Sequence, residues 1–362
     1  MPERFSRVRI ADIAERAQVS TGTVDRVIHN RGEVAPKTRE KIIKILEEMN
    51  YEPDILASTL ASKKTYRFAS LIPEARENSL FWALPAAGLG KALGQVKHFG
   101  ISHDTFFFQY FDRQSFKDAA NRLLESDPDG VIIAPVFSEL TDHFCDQCRE
   151  RNIPVVFINA NIFNIEKLSF VGQDSFRSGM VAARLLNYGM PPDASFLVVN
   201  FMSEKGTNMH LVSREEGFRS FFSQAPEKNR NLKTLNIVGN NLPAIRQTLW
   251  EVLMPRVSAE KIAGVFVTNS RVFLVADFFN SNGIKNVRLI GYDLLNANIA
   301  HLQGNTIDFL ISQKPIEQGF RSFMTLFEAL VLKKNVQKYQ YLPIDIITRE
   351  NIDYYINNQT NE

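Results

Sequence analysis

The stretch Ile10–Asn30, IADIAERAQVSTGTVDRVIHN, constrains this chain more than any other. Ile10, Ile13, Ala14 and Ala17 recur at helical spacing, and so do Val24, Val27 and Ile28. Gln18-Val19-Ser20 between them is long enough only for a tight turn. Ser20 or Thr21 can cap the second helix, because a hydroxyl there accepts from an otherwise orphan N–H. Two short helices, one turn and small alanines at the crossing predict a helix-turn-helix. The second helix then turns Thr21, Gly22, Asp25, Arg26 and His29 outward, groups able to reach into a major groove. On pattern alone, an ordinary helical hairpin in a small bundle fits equally well.

IADIAERAQVSTGTVDRVIHNRGEVAPKTREKI closely resembles the headpiece of the lac-repressor (LacI/GalR) family of bacterial transcription regulators. That pattern runs hydrophobic-x-DVA-x-x-A-x-VS-x-x-TVSRV and then VS-x-x-TR-x-KV. The similarity continues without a gap through LEEMNYEPDILASTLASKK, which resembles the family's third helix and hinge. Pro36 suits the first turn of that third helix, although Ala35 stands where the family usually has a capping Ser. Asp54–Ser62 is the hinge candidate, with Leu56 and Leu60 on one face of a short helix. The resemblance implies that Leu60, one from each of two subunits, wedges into the central minor groove of operator DNA. A leucine packed between linker and core is the alternative. The chain departs from the family at Asp25, where Ser is usual, and at Asp54-Ile55, where Asn-Arg is common.

With 362 residues, 44% of them hydrophobic, the chain has room for a headpiece and one large domain or two medium ones. No apolar run is long enough to span a membrane. The first residues, MPERFSRVRI, carry charge without the apolar stretch of a secretory signal, so a cytoplasmic protein is expected. Net charge is only +2, and residues 1–64 hold 12 Lys and Arg against 10 acids, so the whole excess lies in the headpiece. That is weak for a nucleic-acid binder, and charge alone would not identify one. Cys145 and Cys148 form a CxxC without a second pair, and read as two thiols on a helix after the strand Val131–Ala134. There is no phosphate-binding glycine loop, metal cluster, or Ser-His-Asp or Cys-His arrangement. No enzyme activity, cofactor or metal is expected.

From Tyr66 onward, apolar runs of strand length, from Arg67–Ile72 to Val287–Tyr292, alternate with helical stretches from Ala86–Phe99 to Val272–Ser281. Such alternation predicts parallel α/β sheets, and there are too many units for one compact sheet. The expected fold class is α/β: an N-terminal all-α helix-turn-helix headpiece plus a two-lobed effector domain, each lobe a parallel β-sheet flanked by helices. This resembles the family's effector domain and periplasmic sugar-binding proteins, whose lobes are joined by three crossovers. They are expected near Asn161–Asn164, Ser312–Lys314 and Lys334–Gln337. The headpiece is then 1–53, the hinge 54–65 and the effector domain 66–355. Lobe 1 takes 66–162 and 314–336, and lobe 2 takes 163–312 and 337–355.

In open α/β sheets ligands bind beyond the carboxyl ends of strands, and the resemblance points to residues there. Ser79-Leu80-Phe81-Trp82 is similar to the Asn-Pro-Phe-Phe segment of sugar binders, where Phe81 and Trp82 would stack on a pyranose or a base. Asn159 ends a strand where the family often has Asp, with Asn161 two further on. Asp174, in VGQD, either faces the ligand or caps the next helix. Arg214, in SREEGF, reproduces the family's R-x-x-G-F arginine, a rigid fork of donors for hydroxyls or a carboxylate. Asn269 matches the first residue of the family's Asn-Asp, Asp293 its GYD, and Gln313 its x-Q-x-P. These side chains describe a neutral polyhydroxylated ligand, a sugar or sugar derivative, with a purine as the alternative. The resemblance implies a homodimer on a near-palindromic operator, with DNA affinity set by the bound effector. The tail after Ile346 lacks leucine heptads, so a dimer and not a tetramer is expected. A transporter's solute-binding protein is the reading from another class.

Overall fold

The apolar stripes of the N-terminal stretch fold as helices α1 (Ile10–Ala17), α2 (Thr21–Ile28) and α3 (Pro36–Glu48) in the computed structural model of the protein. It describes residues 8–28, 32–49, 51, 64–76, 80–202, 209–224, 230–239, 241–255 and 262–361. His29, Leu60 and Ser79 lie outside the described residues, as does the hinge candidate Asp54–Ser62. Gln18, left-handed at φ 56°, ends α1, and the Ser20 hydroxyl then accepts the Thr23 N–H at 3.2 Å. That bond satisfies one orphan donor at the start of α2. Ile13, Ala17, Val24 and Ile42 bury fully between the three helices. Ala35 gives α3 no side-chain cap, and Pro36 opens its first turn.

The chain divides at residue 63 into two compact units, and the second holds two six-stranded sheets. The strands are β1 (Tyr66–Pro73), β2 (Ile101–Phe108), β3 (Gly130–Ile133), β4 (Val155–Ile158), β5 (Ser169–Gln173), β6 (Ser195–Met202), β7 (Asn231–Val238), β8 (Ile262–Val267), β9 (Arg288–Tyr292), β10 (Phe309–Ser312), β11 (Tyr339–Leu342) and β12 (Asp345–Ile347). The first sheet runs β11-β5-β4-β3-β1-β2, all parallel. The second runs β12-β10-β9-β8-β6-β7, parallel except for β12. Along β6, Leu197 and Val199 enter one apolar cluster while Phe196 and Val198 enter another. Helices cover both faces, so these strands read as nearly unbroken apolar runs. Among the described residues, no helix is long and apolar enough to cross a membrane. Cys145 and Cys148 are buried on the helix Ser138–Glu150, and burial pushes the Cys148 thiol up to about 12.

Two crossovers differ from the sequence expectation. Ser169–Gln173 pairs with β4 in the first sheet (Val156 against Ser169, Phe157 against Phe170), so the first passage between lobes falls at Gln173–Asp174 rather than Asn161–Asn164. Tyr339–Leu342 pairs with β5, which moves the third passage from Lys334–Gln337 to Pro343–Ile344. Both strands are short and mixed in polarity, and what fixes them is the need of a buried backbone for ladder partners. The second passage is Ser312–Lys314, after which the helix Pro315–Leu326 packs on the first lobe. Lobe 1 therefore takes 66–173 and 315–342, and lobe 2 takes 174–312 and 345–361. The buried Gln173 amide donates to the Ser312 carbonyl (3.1 Å) and the Pro343 carbonyl (3.2 Å), joining all three passages.

Candidate functional site

Within each sheet the strand order reverses beside β1 and β6, and in such sheets the loops beyond the carboxyl ends open a crevice. The loops of both lobes line one cleft. Phe81, Trp82, Tyr110, Phe111 and Asn159 come from lobe 1. Phe201, His210, Arg214, Asn269, Ser270, Arg271 and Asp293 come from lobe 2, and Gln313 comes from the second passage.

Arg214 is 1% exposed, on the inner face of the helix Met209–Ser223. Its Nη1 donates to the Thr268 carbonyl at 2.7 Å, its Nη2 to Gln313 Oε1, and its guanidinium lies 3.7 Å from the centre of the Tyr292 ring. The Tyr292 hydroxyl is held in turn by Ser178 at 2.9 Å. Gln313 Oε1 also accepts from Asn159 Nδ2 (3.2 Å), while its Nε2 donates to Asp293 Oδ2 (2.7 Å). One amide thus links an asparagine of lobe 1 to an arginine and an aspartate of lobe 2. Asn159 and Asp293 take left-handed turns, φ 72° and 69°, just beyond β4 and β9. Asn and Asp adopt this conformation more readily than other side chains, and it turns both into the cleft.

Burial pushes the Asp293 carboxyl up to about 7, against the pull of Arg214 and the Gln313 hydrogen bond. Among the described residues, its Oδ1 is buried with no hydrogen-bond partner, as is Arg214 Nε. Burial, reinforced by Arg214, takes the His210 imidazole down to about 3, and burial raises the Tyr110 phenol to about 12. Both side chains are therefore neutral at pH 7. The arrangement offers forked donors, amides and flat rings, a set that can hold a hydroxyl-rich ring and fix its orientation.

Phe81, Trp82, Asn159, Arg214, Asn269, Asp293 and Gln313 lie together in this cleft. Two sequence candidates do not line it. Asp174 caps the helix Ser175–Asn187, accepting from the Arg177 N–H at 2.9 Å, because the passage to lobe 2 ends at that helix start. Asn161 is half-buried beyond β4 and is not among the lining residues. The sequence reading missed Tyr110, Phe111, Phe201, His210, Ser270 and Arg271 as lining residues. Tyr110-Phe111 lies just beyond β2 and Arg271 two residues beyond Asn269, so the strand-end rule carried one step further would have reached them.

In the headpiece, Thr21, Gly22 and Arg26 are exposed on α2 and Asp25 is half-exposed, opposite the buried Val24 and Val27. A Cβ on Gly22 would meet nothing nearer than the Ser20 hydroxyl at 3.8 Å. The headpiece itself does not require a glycine there.

Residues 9–54 match the bacterial regulatory proteins of the lacI family, and residues 68–334 match the periplasmic binding protein domain. Catabolite control protein A of Staphylococcus xylosus is 29% identical over 154 residues, 42% of this chain and 44% of that protein. The match thus spans less than half the length of that relative. A solved structure from Bacteroides fragilis, described as a candidate LacI transcriptional regulator, is 32% identical with a TM-score of 0.72. It covers 81% of this chain and 100% of its own. The glucose-galactose binding protein GanP of Geobacillus stearothermophilus is 20% identical with a TM-score of 0.66, over 80% of this chain and 99% of its own, and so shares the fold.

Proposed function

Since the chain belongs to the lacI family of bacterial regulatory proteins and carries that family's periplasmic-binding-protein domain, we propose that it is a transcription repressor whose operator affinity is set by a sugar or sugar derivative. One observation carries this reading: a lacI-type reading helix and a cleft lined by both lobes occur on the same chain. The reading helix is α2, with Thr21, Gly22, Asp25 and Arg26 toward the major groove. Phe81 and Trp82 stack on the ring of the effector, and Asn159, Arg214, Asn269, Asp293 and Gln313 bond its polar groups. The protein works as a homodimer on a near-palindromic site in the cytoplasm, binding without turnover. The homologous catabolite control protein and the sugar-binding fold neighbours support the same class.

Ligand bridging both lobes favours their closed arrangement, and closure changes DNA affinity only as far as the two arrangements differ in affinity for each partner. A gel shift with fragments of the source genome tests the regulator. One or a few fragments should be retained, and a member of a sugar panel should change their retention. Retention of every fragment alike, with no response to the panel, overturns the proposal.

A further inference from the structure

The described lining of the cleft contains two guanidinium groups, Arg214 and Arg271, and a single carboxyl group, Asp293. Arg214 spends its bonds on neutral acceptors, the Thr268 carbonyl and the Gln313 amide. Arg271 is only 7% exposed. Among the described residues its guanidinium donates once, to the Gly239 carbonyl at a long 3.5 Å, and stands 5.0 Å from the centre of the Phe201 ring. No described carboxylate pairs with it. Its backbone N–H is held by Asn269 Oδ1 at 3.1 Å, which fixes its place at the head of the helix Val272–Ser281. The other titratable lining groups, His210 and Tyr110, are neutral at pH 7 and add no negative charge.

A buried cation without a counter-charge is costly, and buried charges in proteins are paired. On the reading that this cleft holds a sugar derivative, we propose that the effector is anionic: a monosaccharide whose carboxylate or phosphate oxygens are met by Arg271. The planar fork of arginine matches both groups, two N–H donors to two oxygens. Tyr110, from the opposite lobe, also lines the cleft and offers a hydroxyl donor to the same anion. The anion then ties lobe 1 to lobe 2, and a neutral sugar leaves Arg271 without a counter-charge among the described residues. The polyhydroxylated ring stays with Arg214, Asn159 and Asp293. The neutral ligand expected from sequence rested on a residue set that lacked Arg271.

Calorimetry on the full-length protein tests this with matched trios: D-glucose, D-glucuronate and D-glucose 6-phosphate, and the same three forms of D-galactose and D-mannose. One acid or phosphate should bind at least about tenfold more tightly than its neutral parent. Tighter binding of the acid identifies a carboxylate effector, and of the phosphate a phosphorylated one. Arg271→Gln should remove the preference while the thermal midpoint without ligand does not fall below that of the parent. Arg271→Lys, which keeps the charge without the fork, should retain part of it and serves if the glutamine variant does not fold. A neutral parent that binds as well as its anions, or a preference that survives Arg271→Gln, overturns the proposal and leaves the sugar reading intact. If no member of any trio binds, the sugar reading falls with it.

Discussion

Asp293 and Gln313 show how single residues set the chemistry of the cleft. Asp293 is 1% exposed and carries a carboxyl raised from 3.8 to about 7, so it titrates near neutrality. A carboxyl raised on folding stabilises the protein below its unfolded value, and that contribution is lost as pH rises through the folded one. Stability should therefore fall between pH 4 and 7 on account of this residue. His210 and His103, lowered to about 3 and about 4, act in the opposite direction over part of the same range. The comparison that isolates Asp293 is parent against Asp293→Asn. Asparagine tolerates the left-handed backbone and can still accept from Gln313. Thermal midpoints from pH 4 to 8 should show the variant gaining on the parent as pH rises; parallel curves would mean an ordinary carboxyl. In the headpiece, Arg26→Ala should weaken operator binding by about 1–3 kcal/mol. Asp25→Ser should raise affinity for unrelated DNA by removing an acid beside phosphates. Unchanged gel shifts for both would show that α2 does not read DNA. These residues were legible because each stands in a worded motif or at a strand end. Arg271 was passed over because it follows Ser270, where the family pattern breaks, and the few partners its guanidinium has among the described residues show only in the folded cleft.

Each lobe is held by a pair of helices crossing on mutual glycines. In lobe 1, a Cβ on Gly88 would lie 2.0 Å from the Ile316 carbonyl oxygen, and one on Gly319 2.1 Å from that of Pro85. In lobe 2, Gly179 and Gly217 stand in the same relation to the carbonyl oxygens of Arg214 and Phe176, both at 1.9 Å. The glycine of R-x-x-G-F is thus a spacing device, letting the helix that carries Arg214 sit against Ser175–Asn187 and reach the cleft. In a helix interior, Gly→Ala gains about 1 kcal/mol of propensity. Overpacking against a backbone that cannot swing aside costs about 1–3 kcal/mol and sometimes more. At 1.9 Å the second effect wins. Gly217→Ala should lower the thermal midpoint and weaken effector binding together by displacing Arg214, and a variant as stable and as tight as the parent would refute the crossing argument. The α/β alternation and the helices with clear apolar periods were legible in the sequence. The strands Ser169–Gln173, Phe309–Ser312, Tyr339–Leu342 and Asp345–Ile347 were not. They are three to five residues long, carry Ser, Gly, Gln or Asp, and owe their conformation to ladder partners far along the chain.

At the scale of the whole molecule, the three passages between lobes act together because Gln173 donates to both of the others. Lys314 adds a tie between the second and third, with its ammonium 3.2 Å from Asp345 Oδ2. Two of the three passages were misplaced from sequence, since a passage is defined by which sheet a strand joins and that is a long-range choice. On the proposed mechanism these passages bend when the lobes close. Gln173→Ala strips one buried carbonyl and one part-buried carbonyl of a donor, which should cost about 1–3 kcal/mol of stability. It is not among the cleft-lining residues and lies outside the headpiece, so ligand affinity without DNA and operator affinity without ligand should both survive. The coupling between them should shrink. Coupling is a single free energy: if ligand changes operator affinity by some factor, operator changes ligand affinity by the same factor, commonly about 5–150-fold. Calorimetry of the effector with and without operator, and gel shifts of operator with and without effector, measure that factor independently. For the parent the two values should agree. For Gln173→Ala both should fall by the same amount. Agreement in the parent with no change in the variant would place the transmitting element elsewhere than in this tie. Disagreement in the parent would mean that the species binding the ligand is not the one binding DNA.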